Sequence, residues 1–153
     1  MKYSSRVLSL LALVSMVVFF AGCDKGEGNK TSTQDKQIAK LVGVWEAVDV
    51  QHDNATPDGY ETFTITITGD AGGDKLGYST ENHPAGPWPN SGEFEFGSNV
   101  TTTLIRSGDE LTINYIVNGD QLTLSFDYAG VTYDAGRTES ISGDWTFQFT
   151  KVE

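Results

Sequence analysis

The residue with the most distinctive chemistry in this 153-residue chain is its only cysteine, Cys23, which stands directly after the small pair Ala21-Gly22 and an apolar run from Val7 to Phe20. A lone cysteine closes no internal disulfide, but a thiol in that position is available to a lipid-transferring enzyme, so Cys23 reads as an anchor. Hydrolysis by a nucleophile needs a base and an orienting group beside it. The two histidines, His52 and His83, are 31 positions apart in loop-like sequence beside Asp53 and Pro84, and no Gly-x-Ser-x-Gly occurs. The Ser-Gly-Asp triplets at Ser107 and Ser142 fall where turns are expected. Thiol or zinc chemistry would need a free cysteine or clustered histidines. Among the carboxylates, Glu93, Glu95 and Asp127 alternate with apolar neighbours, which puts them on a solvent face rather than in a two-carboxylate glycosidase site. Asp70 and Asp74 flank a glycine stretch that suits either a hard cation or an ordinary turn. The reading is of a protein with no catalytic residues, no assigned metal and no cofactor.

The segment that would deliver Cys23 has the parts of an export signal: basic Lys2 and Arg6, the apolar run, and the small residues before the cysteine. The run is too short for a spanning helix, which takes roughly 20 apolar residues. The expected organisation is a signal peptide over 1–22, a tether over 23–36 and one β domain over 37–153. From Asp24 to Asp35 no side chain is apolar, so that stretch has nothing to bury. Removing residues 1–22, with their two cations and no acid, takes the formal charge from −11 to −13. Such a field repels phosphate backbones, and no Lys/Arg cluster offers an exception, so nucleic acid is excluded as a partner.

Phe20-Ala21-Gly22-Cys23 resembles the lipobox of bacterial lipoproteins, with Phe20 where that family usually has leucine. The resemblance implies cleavage before Cys23, acylation of the cysteine, and a place in the envelope of a Gram-negative bacterium, at the outer membrane. The membrane partner is then reached through lipid on Cys23. Two or three acyl chains, at about 0.8 kcal/mol per buried CH₂, hold a protein on a membrane durably.

Beyond the tether, apolar residues recur with period two. Phe63, Ile65 and Ile67 alternate with threonines, and the pattern returns in Leu111 to Val117, Leu122 to Tyr128 and Trp145 to Phe149. With Val44 to Val50, Leu76 to Thr80, Glu93 to Gly97 and Val100 to Arg106, about eight strands are expected, plus a short helix over Gln34 to Leu41. The turn-forming stretches Ser107-Gly108-Asp109-Glu110 and Asn118-Gly119-Asp120 leave room only for antiparallel neighbours. The fold class is all-β, a meander closed into an up-and-down barrel or folded into a two-sheet sandwich.

Leu41-Val42-Gly43-Val44-Trp45 resembles the Gly-x-Trp opening of lipocalin-like barrels. Pro87-Trp88-Pro89-Asn90-Ser91-Gly92 with Phe94 and Phe96, and the closing Ser142-Gly143-Asp144-Trp145 to Lys151, are similar to a lipocalin-like domain of unknown function found in Gram-negative lipoproteins. The resemblance implies a small calyx-like barrel in which Gly43 allows close approach, Trp45 closes one end, and a late basic residue, Arg137 or Lys151, stacks on that tryptophan. Trp88, bracketed by prolines, cannot readily join a ladder, so it caps the barrel mouth or is displayed. Two functions compete. In one, a monomer holds a small apolar or amphipathic ligand against Trp45, Trp88, Phe94, Phe96 and Phe126; in the other, the phenylalanines fill the barrel and the outer surface contacts an envelope protein or glycan.

Overall fold

The computed structural model describes residues 32–134 and 137–152; Cys23, its signal segment and the tether before Ser32 lie outside these residues. The first element is α1 (Thr33–Leu41), which begins one residue before the expected Gln34. Its start is set by a capping box. The Ser32 hydroxyl accepts from Asp35 N at 3.0 Å, and the Asp35 carboxylate accepts from Ser32 N at 3.1 Å. Residues 32–36, assigned to the tether on composition, therefore form the capped first turn of a helix, because capping needs polar side chains and not apolar ones. The helix buries Gln37, Ile38 and Leu41, and Val42 N closes it on Ile38 O at 2.9 Å before turning extended.

Among the described residues ten strands follow: β1 (Gly43–His52), β2 (Thr64–Thr68), β3 (Lys75–Glu81), β4 (Ser91–Phe96), β5 (Thr103–Arg106), β6 (Leu111–Asn118), β7 (Gln121–Tyr128), β8 (Val131–Asp134), β9 (Arg137–Ser140) and β10 (Gly143–Val152). Eight of them close a barrel in the order β1-β10-β7-β6-β5-β4-β3-β2, and β8 and β9 form a separate hairpin inserted between β7 and β10. Every ladder is antiparallel, and β1 pairs with both β2 and β10. That double pairing makes the domain a lipocalin-like up-and-down barrel and sets aside the two-sheet sandwich. Closure leaves no barrel edge unpaired.

Three departures from the expected strands have local causes. The strand expected to include Phe63 starts at Thr64, because Phe63 N turns back onto Tyr60 O at 3.1 Å. The one expected from Val100 starts at Thr103, because Asn99 O accepts from both Thr102 N and Thr103 N. The β8–β9 hairpin was not expected, since two four-residue strands are too short to display a period.

Inward positions form one apolar cluster in which Phe63, Ile65, Ile67, Leu122, Leu124, Phe126, Trp145, Phe147 and Phe149 are all buried, as their alternation predicts. Phe147 is stacked between Trp145 at 5.6 Å and Phe149 at 6.1 Å, with Phe126 alongside at 5.9 Å. Each such ring, fully buried, contributes about 1.5 to 3 kcal/mol of hydrophobic stabilisation.

Candidate functional site

The strand directions give the barrel two different ends. At the end where β1 begins, Trp45 is fully buried and its indole Nε1 donates to Leu41 O at 2.8 Å, tying the base of α1 to the barrel. Lys151 Nζ lies over the Trp45 ring, 5.1 Å from its centroid, and reaches Lys40 O at 3.4 Å. Gly43 makes this possible. Its φ is +146°, and a Cβ there would collide with Lys151 Cε. Of the two basic residues expected near Trp45, Lys151 takes the position; the side chain of Arg137 lies outside the described side chains. Phe96, half-buried near the same end, packs against the core from the end of β4.

At the opposite end, the connection from β3 to β4 turns inward and places Trp88 in the mouth, 2% exposed. The indole sits among Phe63 (6.3 Å), Tyr78 (5.9 Å), Phe94 (6.3 Å), Phe126 (5.5 Å) and Phe147 (5.7 Å). Its contacts with Tyr78, Phe94, Phe126 and Phe147 are near-perpendicular, the arrangement that ring quadrupoles favour. Of the five residues proposed to meet a ligand, Phe94 and Phe126 thus both meet Trp88, while Trp45 and Phe96 belong to the far end.

Two groups hold this loop down. Arg106, 1% exposed, donates through Nη1 to Pro87 O at 2.9 Å, and its guanidinium lies 5.4 Å from the Trp88 centroid and 5.8 Å from that of Tyr128. Asp109 neutralises it from the β5–β6 turn, accepting from Nε at 3.0 Å and also from Nη2. The hydrogen bond from Arg106 holds the Asp109 carboxyl below its ordinary value, against the opposing effect of partial burial. Tyr60 supplies the second tie, its hydroxyl donating to Gly86 O at 2.7 Å. Burial raises that hydroxyl above its ordinary range, so it remains a donor. Arg106 was missed in the sequence, although it stands two residues after Leu104 and shares its inward face.

Two donors beneath the loop, Tyr78 Oη and Trp88 Nε1, are buried without a hydrogen-bond partner. Tyr78 stacks on Phe94 at 4.4 Å and leans over its cross-strand partner Gly92, where a Cβ would meet the hydroxyl at 2.6 Å.

The other candidate residues have structural partners. His52 stacks on Trp145 at 4.2 Å and its Nε2 is 3.1 Å from Ser142 O, which ties the end of β1 to the approach to β10. His83 Nε2 meets the Thr80 hydroxyl at 2.9 Å, and Nδ1 meets Pro84 O at 2.8 Å. Asp70 and Asp74 border an open groove of about 720 Å³ beside Val42 and Lys75. Its glycine stretch is bound to α1, through Gln34 to Gly73 O at 2.8 Å and Gly72 N to Asp35 at 2.6 Å. Among the described residues no group of three or more His, Cys, Asp or Glu is placed to hold a metal ion. Glu93 and Glu95 project outward and share Lys75, at 3.2 and 3.0 Å.

No protein-family model matches the chain, and no curated protein matches it.

Proposed function

We propose that this protein is a non-catalytic lipoprotein of the Gram-negative envelope, anchored through acylated Cys23, whose plugged barrel acts through its outer surface as an interaction module. The observation that carries this reading is Trp88, seated among five inward aromatic rings on a loop that Arg106 holds down through the Pro87 carbonyl. A carrier keeps an apolar space for its ligand, commonly about 300 to 1,000 Å³. Here the mouth of the barrel is taken by a side chain of the protein itself. Anchoring is supported by the Val7 to Phe20 run and the Ala21-Gly22-Cys23 junction.

A second reading is favoured by the unpartnered Tyr78 hydroxyl and Trp88 indole N–H. A buried donor without an acceptor costs about 1 to 3 kcal/mol, which lowers the barrier to displacing the plug. In this reading Trp88 swings out, freeing its N–H to meet water, and a small amphipathic ligand with an acceptor oxygen takes the Tyr78 hydroxyl, lying against Phe94 and Phe126, with Phe96 and Trp45 at the far end.

The two readings separate by titrating the full-length protein with fatty acids, isoprenoids and haem while following tryptophan emission and melting temperature. The module reading expects neither signal to move. A saturable shift in melting temperature with any of them, reached at lower ligand concentration in Trp88→Ala, replaces it with the carrier reading, because a ligand that prefers the folded state must stabilise it. For the anchor, Cys23→Ser is expected to release the protein from salt-washed membranes or leave the precursor uncleaved; a wild-type protein that is wholly soluble and cleaved elsewhere removes that part of the proposal.

A further inference from the structure

In β1, regular alternation from the inward Trp45 would turn Ala47 inward, Val48 outward, the Asp49 carboxylate inward and Val50 outward. A bulge prevents this. The register passes from Ala47 opposite Phe149 directly to Asp49 opposite Gln148, so Val48 is the extra residue. Val50 is thereby buried, Asp49 faces out to Gln148, and Val48 is left 65% exposed, one of the two most exposed large apolar side chains among the described residues.

Val48 borders a groove of about 210 Å³ between the bulge and the connection that runs from Thr56 to Glu61. Apolar surface comes from Val48, Pro57 and the deeply buried Tyr60, and carboxylates from Asp49, Asp58 and Glu61. That volume is below the range of small-molecule pockets and suits a single large side chain. Glu61 is held ionised more firmly than usual by backbone hydrogen bonds from its own N–H and from Gly59.

The surrounding charge is one-sided. From Leu41 to Asp74 the chain has seven acids and no lysine or arginine. Lys75 is shared by Glu93 and Glu95, Arg106 is buried with Asp109, and Lys151 lies over Trp45. A second copy would bring more negative charge to a negative groove.

We propose that this groove docks a basic, apolar-anchored segment of a partner protein: one large apolar side chain enters between Val48, Pro57 and Tyr60, and a flanking lysine or arginine meets Asp49, Asp58 and Glu61. The proposal rests on the outer-surface reading above and names its site. Apolar contact supplies the anchor, and the carboxylates supply orientation, on-rate and salt dependence.

The test uses the full-length protein and fluorescein-labelled dodecapeptides with a central Leu, Phe or Trp, flanked by Lys/Arg, by Ser or by Glu, read by anisotropy. Basic-flanked peptides are expected to bind at least tenfold tighter than Glu-flanked ones and to weaken as salt rises. Val48→Arg, which obstructs the groove and offsets part of its negative charge at an exposed position, should cost at least tenfold. Asp58→Asn should cost about threefold and flatten the salt dependence, with both variants melting as wild type does. The proposal is overturned if basic-flanked peptides bind no better than Ser-flanked ones, if Val48→Arg leaves binding unchanged, or if Val48 proves to govern self-association instead. Failure of the outer-surface reading is a separate result, since a lipid or haem response arises in the barrel interior beside Trp88 and is independent of Val48.

Discussion

Arg106 holds Trp88 in two ways: its guanidinium lies over the indole at 5.4 Å, and its Nη1 binds the carbonyl of the preceding residue, Pro87. The cation is almost wholly buried while the Asp109 side chain that neutralises it is 41% exposed, and this asymmetry fixes which partner the fold tolerates losing.

Asp109→Ala leaves a buried guanidinium without its counter-charge and is expected to cost about 3 to 5 kcal/mol. Arg106→Met leaves a carboxylate that water can reach and removes chiefly the Pro87 hydrogen bond, for about 1 to 2 kcal/mol. Urea titration of both variants measures the order. A larger loss for Arg106→Met would mean that the pair is not organised around the buried cation.

The same pair gives acid sensitivity. The folded-state pKa of Asp109 lies below its unfolded value of about 3.9, so its contribution is complete above that value and is lost as pH falls through the folded pKa. Stability and the burial of Trp88, followed by tryptophan emission, are expected to decline below about pH 4. The decline should be shallower in Asp109→Asn. An identical acid profile in the two proteins would separate Asp109 from the mouth loop.

At the other end, Gly43→Ala is expected to destabilise by about 1 to 3 kcal/mol, because a Cβ both strains a φ of +146° and displaces Lys151 from Trp45. In a Lys151→Ala background the steric part vanishes and only the backbone cost remains. A double-mutant cycle reads the coupling, and strict additivity would show that the lysine does not depend on the missing side chain.

Phe126 and Thr123 test the two faces of β7. Phe126→Ala removes a ring that packs against both Trp88 and Phe147 and should cost about 3 to 5 kcal/mol. Thr123→Ala on the outward face should cost well under about 1 kcal/mol. Similar denaturation midpoints for the two variants would contradict the inward assignment of Phe126.

What the sequence determined by itself is local. The alternation of Phe63, Ile65 and Ile67, or of Leu122, Leu124 and Phe126, specifies strands and their inward faces, because side chains on successive residues of a strand point to opposite sides whatever it pairs with. Short turns such as Gly119-Asp120 between Asn118 and Gln121 then require antiparallel neighbours. The late cation on Trp45 came from the resemblance to lipocalin-like barrels, which implied Arg137 or Lys151, and not from any local pattern. Tertiary structure decided the rest. Ring closure depends on β1 meeting β10 from the far end of the chain, and no local pattern distinguishes that from two stacked sheets. The inward turn of Trp88 depends on Arg106 and Tyr60, distant in sequence and both capable of other roles. The burial of Val50 and the outward turn of Asp49 beside the exposed Val48 follow from one bulge, which reverses the faces of both relative to strict alternation. Periodicity reports what each segment does alone, whereas the plug, the latch and the groove exist only where separate segments meet.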